Sequence, residues 1–232
     1  MPARRWPAVQ PIYLFGDKGP FVAEVVLVFA ALSIPHRIIS IKDNQIAHDV
    51  FYYHAPTGRA PLIYDPNSAI YVSESSPIIS YVLEKYDHYH MIAFPRHRKE
   101  HFLSKSLHAF QSRCVERTSI CRELLARGNE SIEFHLEKCI EEIEVVERVL
   151  TENQQRYGAN VGPYILGYKM SYLDLVFCCW IDFLHLSNPR PIASQFGLTR
   201  VWFRKMIDTQ WVLDVLESCR DTPEPPPPYY CS

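Results

Sequence analysis

The sequence predicts a two-domain α+β chain, in which a mixed unit of strands and helices is followed by an all-helical unit. Three observations predict it. Over roughly the first ninety residues, short β-rich runs alternate with runs of helical length. A polar, His-rich stretch, Asp87 to Arg98, then interrupts the pattern and carries Pro95. Beyond it only long helical segments follow, and no strand signal returns.

Pro11 to Phe15 is a short β-rich run that stops at Gly16. Pro20 to Leu32 is rich in Val, which suits a strand, but its length and its opening proline decide for a helix. His36 to Ile41 reads as the next strand, and Asn44 to Tyr53 as a polar helix. Pro61 to Tyr64 and Ala69 to Val72 flank Asp65-Pro66-Asn67-Ser68, whose turn chemistry makes the pair a hairpin. Ser75 to Tyr86 is a helix with Ser75 or Ser76 as cap, Pro77 in its first turn and an apolar stripe through Ile78, Ile79, Val82, Leu83 and Tyr86. The order is therefore βαβαββα, and the first two strands, joined through a helix, should run parallel. In the second unit, Lys99 to Ala126 and Ser131 to Tyr157 are long helices, the first ended by Arg127-Gly128-Asn129. Ser171 to Leu186 is almost wholly apolar and should lie at the unit's centre, with two shorter helices over Leu198 to Met206 and Gln210 to Cys219. The expected domains are 11–87 and 99–220, with 1–10 and the proline-rich 221–232 as flexible tails.

Composition limits the function classes. The chain has 232 residues, enough for two small cores, and 24 Lys plus Arg against 26 Asp plus Glu. That balance argues against a nucleic-acid partner. No apolar run reaches the ~18–20 residues of a membrane helix, and no secretory signal opens the chain. Seven cysteines, an odd number without a CxxC, fit a reducing cytoplasm better than a disulfide framework. Cys114 and Cys121 lie seven apart on one helix face and read as small buried apolar residues. The histidines at 88, 90, 97 and 101 follow no zinc spacing, so no metal is expected.

Two short segments carry chemistry. Ala60-Pro61 opens a strand, where either a trans proline at a sheet edge or a cis bond in a special turn fits. Glu74-Ser75 sits at a strand-to-helix step. There the positive helix end and its free N–H groups suit a carboxylate, and Glu74 suits an ammonium. A plain helix cap fits the same residues. Ser171-Tyr172-Leu173-Asp174 has the spacing of a capping box and reads as structural.

With GRAPLI, SESSPIISYVLEKY and YILGYKMSYLDL in this order, the chain resembles the cytosolic glutathione transferase superfamily from about Pro11 to Cys219. The segment from Gly58 to Tyr86 matches best, and Gly167 to Asp174 second. The resemblance implies a thioredoxin-like first domain, a helical second domain, a cytoplasmic location and a homodimer. It makes Pro61 a cis proline and Ala60 the backbone partner of the cysteinyl part of glutathione. Glu74 and Ser75 then hold the γ-glutamyl end, and Arg59 meets the glycyl carboxylate, with His48 and His54 as further candidates there. A hydrophobic, electrophilic co-substrate is implied in the cleft between domains, against Phe21, Phe110, Arg113 and Cys114. Dimerisation is expected through the face near Tyr64 to Tyr71 and the helices after Arg98.

The first βα turn departs from the family pattern. Where its members carry a Ser or Cys that ionises or traps the thiol, this chain has Lys18 and Gly19. Tyr13, near the position used by tyrosine-type members, is either a donor to the thiol or a core strand residue. A free thiol has a pKa near 8.5, so lowering it by two units takes about 2.7 kcal/mol. The ammonium of Lys18 and the helix start at Gly19–Val22 could supply part of that. The expected activity is thus addition of the glutathione thiolate to an electrophile. A glutathione-dependent cis/trans isomerase and a non-catalytic binding module are the alternatives.

Overall fold

Alternation along the first strand sets the layers of the first unit. In β1 (Ile12–Phe15), Ile12 and Leu14 are fully buried on one face, while Tyr13 and Phe15 point to the other. The structure is a computed structural model that describes residues 9–127, 132–158, 162–187 and 195–220. It divides into two compact units, Met1–Tyr89 and His90–Ser232.

In the first unit, α1 (Pro20–Ala31) follows β1, then β2 (His36–Ile39), α2 (Gln45–His54), β3 (Leu62–Asp65), β4 (Ile70–Ser73) and α3 (Ser75–Tyr86). The sheet order is β2-β1-β3-β4. β1 and β2 are parallel, with Ile12 opposite His36, whereas β3 is antiparallel to both β1 and β4. The register aligns Tyr13, Tyr64 and Tyr71 across three strands. On that face Phe15, Leu62, Ala47, Phe51 and Ala55 form a buried cluster, to which α2 contributes Ala47 and Phe51 and its C-cap contributes Ala55. The opposite face carries Ile12, Leu14 and Ile63, and α3 packs there as well as on α1.

Pro20 occupies the first turn of α1 as expected, and almost every residue from Val22 to Phe29 is buried, so the Val-rich run is a core helix. Asn44 caps α2, its side chain accepting from the Ala47 N–H at 3.0 Å. In the hairpin turn the Asp65 carboxylate accepts from the Asn67 N–H at 2.8 Å. Two expectations need correction. β2 ends at Ile39 and not Ile41, because the one strand it pairs with, β1, ends at Phe15, opposite Ile39. The cap of α3 is Glu74, with Ser75 already inside the helix and no side chain bonded at the cap.

The second unit contains α4 (Lys99–Ala126), α5 (Ile132–Tyr157), α6 (Tyr172–Ser187), α7 (Gly197–Ile207) and α8 (Gln210–Ser218). α6 is buried along nearly its whole length and packs on α4, α7 and α8. The facing side of α4 is unexpectedly polar, and three of its residues hydrogen-bond to α6. The Gln111 amide donates to the Val176 carbonyl at 3.0 Å, the Trp180 indole to Thr118 at 3.0 Å and the Tyr172 hydroxyl to the Ser104 carbonyl at 3.2 Å. From His90 on, the His-rich stretch read as a linker is anchored within this unit. Ile92 and Phe94 are buried, the Ile92 carbonyl accepts from the Tyr172 N–H, and the Lys169 ammonium donates to the His90 and Ala93 carbonyls. The expected tail residues 1–8 and 221–232, and Gly128-Asn129, lie outside the described residues. Among the described residues, no helix is long and apolar enough to cross a membrane, and no group of three or more His, Cys, Asp or Glu could hold a metal ion.

Candidate functional site

The site is built where β1, β3 and α3 meet. Gly16 leaves β1 so close to the rest of the unit that a Cβ there would fall 2.8 Å from Val22 Cγ2 and 3.6 Å from Pro61 Cβ. The first βα turn therefore lies against Pro61, and the Ala60–Pro61 bond is cis. The Pro61 carbonyl accepts from the Glu74 N–H at 2.8 Å. That bond ties the start of β3 to the start of α3.

Glu74 has φ 71° and ψ 142°, a left-handed backbone setting that favours glycine. Holding a glutamate there costs about 1–2 kcal/mol. Its carboxylate does not fold back onto the first turn of α3. It accepts instead from the Thr57 hydroxyl, at 2.9 Å. The same Thr57 oxygen accepts from the Arg59 N–H at 3.4 Å, and Gly58 between them has φ 65°. Ser75 is buried at the helix start, and Arg59 is exposed.

Ala60, Pro61, Glu74 and Ser75 are thus brought together, with Arg59 next in the chain. Lys18 is exposed in the neighbouring turn, where Asp17 accepts from Ser40 and from the Lys42 N–H. Phe21 is half-buried in the first turn of α1. Tyr13 lies against the α2-side cluster, its ring stacked at 6.4 Å on Tyr64. His54 also joins the aromatic row on that side, stacked 3.6 Å from Tyr71 with ring planes 6° apart. His48 meets the Asp49 carboxylate at 3.4 Å and the Tyr52 ring at 4.5 Å. In the second unit Phe110 is half-buried with its ring 6.4 Å from that of Phe177, and Arg113 is exposed. Cys114 is fully buried; its thiol donates to the Phe110 carbonyl at 3.2 Å, and burial pushes its pKa up.

The sequence reading missed Thr57. Its partner stands seventeen positions away in sequence, and no short-range spacing marks such a pair.

A mixed four-stranded βαβαββα sheet unit with a cis proline before its third strand, followed by an all-helical unit, is the fold of the cytosolic glutathione transferases. The resemblance holds in sequence and in fold. The chain is 29% identical over 181 residues to the glutathione S-transferase-like protein tpcF of Aspergillus fumigatus, covering 75% of this chain and 79% of that one. It is 29% identical over 222 residues to the glutathione S-transferase-like protein gedE of Aspergillus terreus, with 92% and 97% covered. Among solved structures it superimposes on the glutathione transferase URE2P8 of Phanerochaete chrysosporium with oxidized glutathione, at a TM-score of 0.75, 21% identity and coverage of 92% and 97%. Ure2p in complex with glutathione gives a TM-score of 0.78 at 17% identity, with 91% and 100% covered. No family model matches the chain.

Proposed function

We propose that this protein binds glutathione along Arg59 to Ser75 and adds its sulfur to an electrophilic, mostly apolar small molecule. The observation that carries the reading is Glu74. A strained backbone and a bond to Thr57 hold its carboxylate off its own helix, beside a first turn that no side chain caps. A group that bears both an ammonium and a carboxylate matches this pair of features. In this reading Glu74 takes the γ-glutamyl ammonium, Ser75 and the α3 N–H groups take its carboxylate, and the Ala60 backbone pairs with the cysteinyl part. Arg59 meets the glycyl carboxylate, with His48 and His54 as further candidates. Lys18 and the Gly19–Val22 backbone stabilise the thiolate, or Tyr13 donates to it, and Phe21 offers apolar surface nearby.

Titration calorimetry with glutathione tests the binding. Glu74→Gln is expected to weaken it roughly 10- to 100-fold, the scale of a charge-assisted hydrogen bond. Absence of wild-type binding at millimolar glutathione would sink the reading. The bound thiol's pKa in Lys18→Ala and Tyr13→Phe assigns its activation: if neither variant moves it, neither side chain has the role.

Lys18 and Gly19, neither a hydroxyl nor a thiol, favour a second reading, in which the fold is kept as a binding module. Binding without turnover of any electrophile in a reactive panel would support it. Product mass separates transfer, which gains the mass of glutathione, from isomerisation, which gains none. The protein is further read as a cytoplasmic homodimer, and sedimentation equilibrium of the purified chain tests the stoichiometry.

A further inference from the structure

The Thr57 hydroxyl links the two ends of the expected glutathione site. It donates to Glu74 Oε1 at 2.9 Å and accepts from the Arg59 N–H at 3.4 Å, so one oxygen serves both halves. Gly58, at φ 65°, supplies the left-handed turn between Thr57 and Arg59, and the Gly58 N–H donates to the Ala55 carbonyl at 2.9 Å. On the other side the Glu74 backbone is fixed by the Pro61 carbonyl. The glutamate is thus held at its backbone by β3 and at its carboxylate by the turn before β3. A carboxylate on a half-exposed side chain otherwise samples several rotamers, and a ligand must stop that motion when it binds.

We propose that Thr57 is the positioning residue of the site: its hydroxyl aims the Glu74 carboxylate at the ligand's ammonium. The proposal rests on the glutathione reading above. Thr57 touches no part of the ligand and acts through Glu74. The hydroxyl is the part that matters, so Thr57→Ser keeps the function, whereas Thr57→Val, equal in shape, loses it.

The test is calorimetry on the full chain with two probes, glutathione and its analogue in which hydrogen replaces the γ-glutamyl amine. Thr57→Val is expected to weaken glutathione about tenfold and to leave the analogue unchanged, because only glutathione presents the ammonium. Thr57→Ser should restore wild-type binding. The double variant Thr57→Val/Glu74→Gln should bind no more weakly than Glu74→Gln alone, since the hydroxyl acts through that carboxylate. Equal losses for both probes would assign Thr57 a merely structural part and overturn the proposal, as would wild-type binding in Thr57→Val. Wild-type protein that binds neither probe overturns the glutathione reading itself, which separates the two failures. Thr57 is exposed, so the variants should melt with the wild type, and melting curves check this.

Discussion

Four donors converge on Asp174, which is fully buried. Its Oδ1 accepts from the Ile165 N–H at 2.9 Å and the Trp202 indole at 3.0 Å, and its Oδ2 from the Ser171 N–H at 2.8 Å and the Ser171 hydroxyl at 2.9 Å. The acidic half of the capping box is present, but the serine hydroxyl donates to the carboxylate and does not accept from the helix. Ser171→Ala therefore removes one donor from a buried charge and is expected to cost about 1–3 kcal/mol in urea unfolding, more than a surface cap would. A loss within a few tenths of a kcal/mol would mean that the other three donors suffice. His108 and His185 make the opposite case. Burial lowers the pKa of each to about 4, so the native state holds them neutral while the unfolded chain protonates near 6.5. The unfolded state binds more protons below that pH. Stability is then full above about pH 6.5 and falls as the pH drops toward 4. Unfolding midpoints between pH 7.5 and 4.5 should show this slope, and His108→Leu should make it shallower. The Asp65 carboxylate does not confuse the window. Burial raises its pKa, but the Tyr81, Tyr86 and Asn67 hydrogen bonds outweigh burial and hold it below its usual value. Its contribution is present above about pH 4 and is lost only below that.

Nearly every element was legible, because hydrophobic period, length and Pro or Asn punctuation are local signals. Pro20 marked α1, Asn44 marked α2, and the apolar run after Ser171 marked the buried α6. Contacts between distant parts of the chain were not legible. The start of α7 shows this well. The Leu198 N–H donates to Glu147 Oε1 at 3.0 Å, and the Thr199 N–H and hydroxyl donate to Oε2 at 2.7 and 2.8 Å. A carboxylate on α5 thus caps a helix about fifty residues on, and it meets the positive end of that helix. Local sequence gives α7 no capping side chain of its own. Glu147→Ala is expected to cost about 1–2 kcal/mol, and Glu147→Gln less, since the amide oxygen can still accept. Thermal melts of the full chain check the order. Equal loss in both would assign the effect to charge and not to the bonds.

At the scale of the whole chain, the succession of a mixed sheet unit and a helical unit was legible and the wiring of the candidate site was not. The strand proline and the Glu74-Ser75 step stood out because each marks a local junction, a strand start and a helix start. Thr57 was invisible because a threonine in a turn is ordinary until a carboxylate from another element reaches it. Tyr13 stayed ambiguous for the same reason, since alternation assigns a face but not what covers it, and the covering cluster comes largely from α2. The burial of Cys114 and Cys121, by contrast, was legible from their spacing on one helix face. All six cysteines in the described residues are buried. Cys121 and Cys139, the pair that meets between α4 and α5, keep their sulfurs 3.9 Å apart and share a hydrogen bond, not a disulfide. Burial raises the pKa of the Cys114 and Cys178 thiols, and although the hydrogen bond with Cys139 lowers that of Cys121, burial keeps reagents from all six. A thiol-specific reagent at pH 7.5 should therefore label the six buried cysteines among the described residues slowly in the native protein. In denaturant it should label all seven. Two or more fast equivalents would show that the helical unit opens on the timescale of labelling, and fewer than seven in denaturant would reveal a disulfide.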